Sequence, residues 1–320
     1  MQAAVLHRLG DTPRFDTFDD PDPFDHETLV RVRATAISPV DLAAAAGRHH
    51  SMPLDLPAIC GTDGVGETVD GVRVYFTVAR QPFGAMAEYA PAEWAVPVPD
   101  GLDDAAAAAI VRPALAAWMP LTVQADLEPG ETVLILGATG AAGRMAVQAA
   151  RLLGAGRIIA AGRGQDALAT LGADATIDLR MPPAALHQAF SAYAAEGIDV
   201  IVDFLWGDPV ELLMAALVRS DLGPPIEDDR GIRLVSVEEQ VSGSLTLPSA
   251  ALRDSRLRLM GSGPANYPSF AHLETFVGDI LLHALEGDLS VEVESMRMAD
   301  VTEAWGRATL LERPVVLMVA

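Results

Sequence analysis

Apolar and polar positions follow two different textures along the chain. Over roughly the first hundred residues the alternation is short. Thr28 to Ser38 (TLVRVRATAIS) alternates apolar and polar side chains with period two, which predicts a half-buried strand. Gly61 to Val78 (GTDGVGETVDGVRVYFTV) is rich in glycine and β-branched residues and predicts a hairpin or part of a small barrel. Pro91, Pro97 and Pro99 punctuate the segment after it. From Asp103 the texture changes. DDAAAAAIVRPALAAWMPL predicts a helix, with Asp103 and Asp104 placed to start it. Strand-length apolar runs then alternate with helical segments. TVLILG leads to a helix ending near Leu153, RIIAAG to one around DALATLG, and ATIDL to one near PPAALHQAFSAYAAEG. GIDVIVDFL leads to one near PVELLMAALVRS, before IRLVSV. This alternation predicts an α/β fold with a parallel, doubly wound sheet and helices on both faces. Beyond Gly261 a helix near Phe270 to Glu286 and short strands restore a mixed texture, without internal repeats or a low-complexity linker.

The first strand-to-helix junction of that series carries candidate chemistry. Thr132 to Ala155 (TVLILGATGAAGRMAVQAARLLGA) sets Gly137, Gly140 and Gly143 between a buried strand and a helix. Helix N-terminal amides, with the positive end of the dipole, suit a dinucleotide pyrophosphate. Residues Thr139, Gly140, Ala141, Ala142 and Gly143 form that turn. Gly140 lets backbone approach phosphate, and Gly143 lets helix and strand close up. Ala138 stands where the usual fingerprint has its first glycine, and a tight turn without ligand is the plain alternative. The next strand ends at Gly162 and Arg163. A chain selecting NAD places an acid there for the ribose hydroxyls. An arginine suits the 2′-phosphate of NADP.

Bulk properties narrow the classes. The 320 residues suggest two domains with real cores, and half are hydrophobic, as in a globular protein. A net charge of −22 argues against a nucleic-acid partner and against anionic membranes. All 22 basic residues are arginine, which excludes Schiff-base lysines, a Walker A lysine and a Tyr-x-x-x-Lys pair. Cys60 is the single cysteine, so no internal disulfide or all-cysteine zinc site forms. The start, MQAAVLHRLGD, lacks a signal-peptide pattern, and a cytoplasmic location is the expectation. The apolar stretch AAAAAIVRPALAAW is interrupted by Arg112 and Pro113, as in a buried helix rather than a membrane span.

Seven segments in order carry a family resemblance: AISPVD, PAICGTDGVGETV, PFGAMAEYA, LGATGAAG, GIDVIVDFLWG, IRLVSV and LRLMGS. Over nearly its whole length the chain resembles the medium-chain dehydrogenase/reductase superfamily, in its zinc-free quinone oxidoreductase-like branch. The resemblance implies a GroES-like β-barrel catalytic domain (residues 1–110), a Rossmann cofactor domain (111–261) and a C-terminal segment completing the first (262–320). It places Ser38 and Thr62 where zinc-dependent relatives have cysteine and histidine, so no metal is expected. It implies NADPH as cofactor, hydride transfer to a quinone or α,β-unsaturated carbonyl, and a homodimer. Ser38 and Asp41 become candidate catalytic residues, and the backbones of Val237, Gly261 and Ser262 candidate nicotinamide contacts. Ala43 and Ala116 stand where the family often has tyrosine and threonine, two polar losses.

Each candidate has a plainer role. Asp41 could cap the helix beginning LAAAAG, His49 and His50 could be solvated, and Cys60 could be a small buried hydrophobe. Trp118 could serve helix packing, Asp203 could be a sheet-end structural residue, and the acidic loop DLGPPIEDDRG could be a solvated excursion. A short-chain dehydrogenase is opposed by the missing lysine and by the loop's position far into the chain. A zinc alcohol dehydrogenase is opposed by the missing ligands. An NADPH-binding redox sensor or partner protein with little turnover is the standing rival, favoured by Ala43 and Ala116.

Overall fold

The computed structural model describes residues 1–48, 54–218, 230–310 and 313–319. The chain forms two compact units, Met1–Arg112 with Leu273–Ala320, and Pro113–His272. His49, His50 and most of the acidic loop lie outside the described residues.

The first unit opens with β1 (Gln2–Leu6), β2 (Arg14–Thr17), β3 (Thr28–Ile37), α1 (Pro39–Ala45) and β4 (Ala58–Ile59). It continues with β5 (Asp63–Thr68), β6 (Arg73–Thr77), β7 (Tyr89–Ala92), β8 (Trp94–Pro97) and α2 (Asp104–Met119). β5 and β6 are the hairpin expected from the glycine-rich stretch. β3 alternates exposure only over its first half and is buried from Ala34 to Ile37. The reason is its place: it pairs with β5 and, at its far end, with the C-terminal strand of the unit. α2 starts where expected, with Asp103 accepting the Ala106 N–H at 3.0 Å. Together with the turn after it, Asp104–Gln124 is long and apolar enough to cross a membrane, but 61% of that window is buried in the fold.

The second unit contains β9 (Thr132–Leu136), α3 (Ala141–Leu152), β10 (Arg157–Gly162), α4 (Gln165–Ala169), β11 (Ala175–Asp178) and α5 (Pro183–Glu196). Then come β12 (Val200–Asp203), α6 (Asp208–Leu217), β13 (Ile232–Ser236), α7 (Ser249–Arg253) and β14 (Leu257–Gly261). All pairings are parallel, in the order β11-β10-β9-β12-β13-β14. The chain runs outward from β9 to β11 and then resumes beside β9 on its other side. The strand order therefore reverses between β9 and β12, the point where doubly wound sheets open a crevice at their carboxyl ends. Leu134, Ile159, Ile201 and Leu234 of the sheet share one core with Phe190 of α5 and Leu213 of α6. Buried on both faces, these strands read as continuous apolar runs.

The chain closes through α8 (Phe270–Glu286), β15 (Glu294–Arg297), α9 (Val301–Ala308) and β16 (Val315–Met318). β16 enters the first unit's larger sheet, whose order is β15-β16-β3-β5-β6-β8 with β7 also on β3. α9 buries Val301, Ala304 and Trp305 against Leu6, Ile37 and Leu317.

Candidate functional site

The glycine turn sits at the carboxyl end of β9, beside the reversal of strand order. Gly137 has φ +85° and turns the chain out of the strand. Its N–H and that of Ala138 both donate to Ala161 O at 2.9 Å, tying the turn to β10. α3 begins after Gly140, which has no side chain to cap it. The first amides of a helix have no intrahelical acceptor, so Ala141, Ala142 and Gly143 present theirs uncapped. A Cβ at Gly143 would lie 2.2 Å from Gly137 O, whereas one at Gly140 would meet nothing nearer than 3.5 Å. Gly143 is thus required for the helix to approach the strand, and Gly140 leaves the mouth open. An uncapped helix start behind an open backbone turn fits a pyrophosphate.

The tip of β10 completes this half. A Cβ at Gly162 would reach 2.7 Å from Thr139 Cγ2, so Gly162 makes room for Thr139. Thr139 Oγ1 accepts the Arg163 N–H at 3.4 Å, and Arg144 Nε donates to Thr139 O at 3.0 Å. Asp178 lies opposite Gly162 on β11 and is engaged by Arg180, with contacts from 2.7 Å. The Arg180 hydrogen bonds hold its carboxyl down to about 2. Arg163 is exposed and makes no side-chain ion pair among the described residues.

On the other side of β9, Asp203 ends β12 with no exposure. It accepts the N–H groups of Leu205 (2.9 Å) and Trp206 (3.1 Å), which makes it a sheet-end structural residue. Burial pushes its carboxyl up to about 6, against these two hydrogen bonds. Val237, Gly261 and Ser262 meet at the ends of β13 and β14. Val237 N–H is given to Asp203 O and Ser262 N–H to Ser236 O, both at 2.8 Å, so neither amide is free for a ligand. Gly261 O accepts from Asn266 Nδ2 at 3.0 Å.

Ser38 and Asp41 lie in the first unit and form a capping box. α1 begins at Pro39 rather than at Leu42, with Ser38 as N-cap and Asp41 three residues on. Asp41 therefore stands inside the helix's first turn and not in front of it. Ser38 Oγ donates to Asp41 Oδ2 at 2.6 Å, and the Ser38 N–H donates to the same oxygen at 2.8 Å. Burial, opposed by Arg112 and reinforced by Asp63, pushes Asp41 up to about 6. While Asp41 is ionised it holds the Ser38 hydroxyl proton. Protonated, it releases that hydroxyl to donate elsewhere.

Sequence reasoning missed the network around this pair. Asp63 Oδ2 accepts from Arg112 Nε (2.7 Å) and from Tyr75 Oη (2.8 Å), and Arg112 Nη2 donates to Thr62 Oγ1 at 2.6 Å. Burial opposes the Arg112 charge, but Asp63, Tyr75 and Asp41 outweigh it and hold the guanidinium protonated. The one available signal was an arginine in an alanine-rich helix, which needs a partner wherever the helix is buried. Cys60 is buried, and burial, with Asp41 beside it, pushes its thiol far up, so it behaves as the expected small hydrophobe. Trp118 is buried in α2, and Ala43 and Ala116 are half-buried.

No family model matches the chain. The quinone oxidoreductase of Pongo abelii is 34% identical over 198 residues, 58% of this chain and 59% of that protein. The trans-enoyl reductase tndF of Aspergillus flavipes is 29% identical over 62% of this chain and 65% of its own length. The chain thus aligns with about three fifths of the length of these curated relatives. Among solved structures, the quinone oxidoreductase of Thermus thermophilus, determined also in complex with NADPH, superposes with TM-score 0.76 and 25% identity. That match covers 99% of this chain and 100% of that one. Sequence, over about three fifths of the chain, and fold, over nearly all of it, both make the chain similar to quinone oxidoreductases.

Proposed function

We propose that the protein is a zinc-independent, NADPH-dependent oxidoreductase that passes a hydride to a quinone or an α,β-unsaturated carbonyl. The observation that carries this reading is the uncapped start of α3 behind Gly137, Gly140 and Gly143, with Arg163 at the tip of the next strand. The backbone of Thr139 to Gly143 would hold the pyrophosphate, and Arg163 the 2′-phosphate. Asp178 stands near that tip, but Arg180 engages it, and Arg163 makes no ion pair among the described residues. The bound nicotinamide supplies the hydride. The chain's own tasks are then to orient, to exclude water and to stabilise charge on the acceptor oxygen. Ser38 and Thr62, at the positions of the relatives' zinc ligands, are engaged by Asp41 and Arg112. This supports a metal-free reading. A homodimer remains part of the proposal by resemblance.

The test uses purified protein. Dissociation constants for NADPH and NADH are measured with wild type and Arg163→Glu, and absorbance decay is followed with a panel of quinones, enals and enones. The reading expects NADPH affinity to fall at least tenfold in the variant with NADH little changed, and consumption with at least one acceptor. Equal losses for both cofactors would refute the role of Arg163. Tight NADPH binding with no consumption by any acceptor would favour the sensor, to which the half-buried Ala43 and Ala116 lend support.

A further inference from the structure

A cavity of about 290 Å³ opens at the carboxyl ends of β12 and β13, lined by Trp206, Ser236, Val237, Glu238 and Glu239. It lies across the strand reversal from the tip of β10. In a doubly wound sheet the two halves of a dinucleotide occupy the two sides of that reversal. With the 2′-phosphate half at Arg163, the other half falls to this cavity. Its walls are fixed. Val237 N–H bonds Asp203 O and Val241 N–H bonds Leu205 O, both at 2.8 Å, so the loop bearing Glu238 is pinned at both ends to the exit of β12. Trp206, also in the lining, has φ +55° and its N–H is held by the buried Asp203 carboxylate. A bulky residue in that region is uncommon and persists where surrounding structure imposes it.

The unexpected group in this cavity is Glu238. It is half-buried, its Oε2 accepts from Gln240 Nε2 at 2.9 Å, and no arginine pairs with it among the described residues. An acid here favours a positively charged occupant. A dihydronicotinamide ring is neutral. When it gives up a hydride, one C–H bond breaks, both electrons leave with the hydrogen, and the ring is left with a charge of +1. The acceptor gains that hydride and afterwards a proton from water or a hydroxyl. A carboxylate beside the ring therefore stabilises the oxidised form more than the reduced one.

Resting on the proposed cofactor reading, we infer that Glu238 biases this cavity toward the oxidised nicotinamide, and so makes bound NADPH a stronger hydride donor. At the effective dielectric of a half-buried site, one charge within several ångströms changes the relative affinity of the two redox forms by about tenfold. For a two-electron couple that is about 30 mV, toward more negative potential. The effect belongs to the ratio of two binding constants, so it is separable from any general loosening of the site.

The experiment is titration of purified full-length protein with NADPH and with NADP⁺, in wild type, Glu238→Gln and Glu238→Asp. Glu238→Gln retains the size and a hydrogen-bonding partner for Gln240 while removing the charge. The ratio of the NADPH to the NADP⁺ dissociation constant should fall about tenfold in Glu238→Gln and stay within about threefold of wild type in Glu238→Asp. An unchanged ratio in Glu238→Gln, with both forms still bound, overturns the inference and leaves the cofactor reading standing. Failure of wild type to bind either form overturns both. Should Glu238→Gln not fold, the same ratio measured in wild type over rising salt serves instead. Screening should erode the preference for the oxidised form, and a constant ratio refutes it.

Discussion

Removing the arginine from the buried network of the first unit is the sharpest test of how that unit is held together. In Arg112→Met the Asp63 carboxylate, whose side chain is 3% exposed, loses its cation and keeps only the Tyr75 hydroxyl on the same oxygen. Breaking a buried pair by removing one partner costs about 3–5 kcal/mol, because the surviving charge stays out of water. Here 37% of the Arg112 side chain reaches solvent, so water can partly replace it and the lower end, about 3 kcal/mol, is expected. For a unit of this size that is a fall of roughly 6–12 °C in Tm. Urea denaturation at pH 7.5, with a thermal scan beside it, measures the loss. The decisive comparison is the double variant Arg112→Met/Asp63→Asn. It removes the stranded charge while the asparagine oxygen still accepts from Tyr75. It should recover at least about 2 kcal/mol of the loss, since a buried pair exchanged for neutral groups is often close to neutral. A single variant within about 0.5 kcal/mol of wild type, or a double variant no better than the single, would refute the reasoning.

Two further outcomes concern the second unit. Gly143→Ala drives a methyl against Gly137 O and should lower stability by about 1–3 kcal/mol. Gly140→Ala, with no atom nearer than 3.5 Å, should leave stability unchanged while weakening NADPH at least tenfold; denaturation curves and cofactor titrations together check the contrast. Asp203 has a folded-state value near 6, above the 3.8 of an ordinary aspartate, so the folded protein retains a proton the unfolded chain has released between those values. Stability from this group is present below about pH 4 and declines as pH rises toward 6. Urea midpoints at pH 4.5, 5.5 and 7.5 should show wild type losing ground to Asp203→Asn as pH increases, and a trend of opposite sign would exclude the assignment.

The sheet of the second unit was legible because parallel strands covered on both faces become unbroken apolar runs separated by helical periods. Its glycine turn was legible because a close strand-to-helix approach demands glycine, and the tight contacts at Gly143 and Gly162 show why. The first unit was less legible. β2 (RFDT) is exposed at every position and carries no periodic signal; its pairing with β1 alone makes it a strand. α1 announced itself through S-x-x-D with proline after the serine, yet the apolar run beginning at Leu42 drew the expected start too late. Arg112 read as an interruption in an apolar segment. Its partners lie about fifty positions away, and no local pattern encodes a contact that the tertiary fold of the first unit creates. Glu238 was hidden for the same reason, since a glutamate after a strand reads as solvated until the cavity around it is seen.

The order of the second sheet has a consequence for when each part of the candidate site moves. β9 lies inside the sheet with β10 and β12 bonded to its two sides, and four of its five residues are buried. Its amides should exchange with solvent deuterium only when the whole unit opens. β14 is an edge strand with one buried residue, bonded on one side to β13. Its outward amides should exchange through small local openings. The turn of Gly137 to Gly143 is therefore anchored to the interior of the sheet, and Gly261 and Ser262 hang on one of its two edges. One end of the site is set at folding, while the other keeps breathing on the timescale of edge fraying.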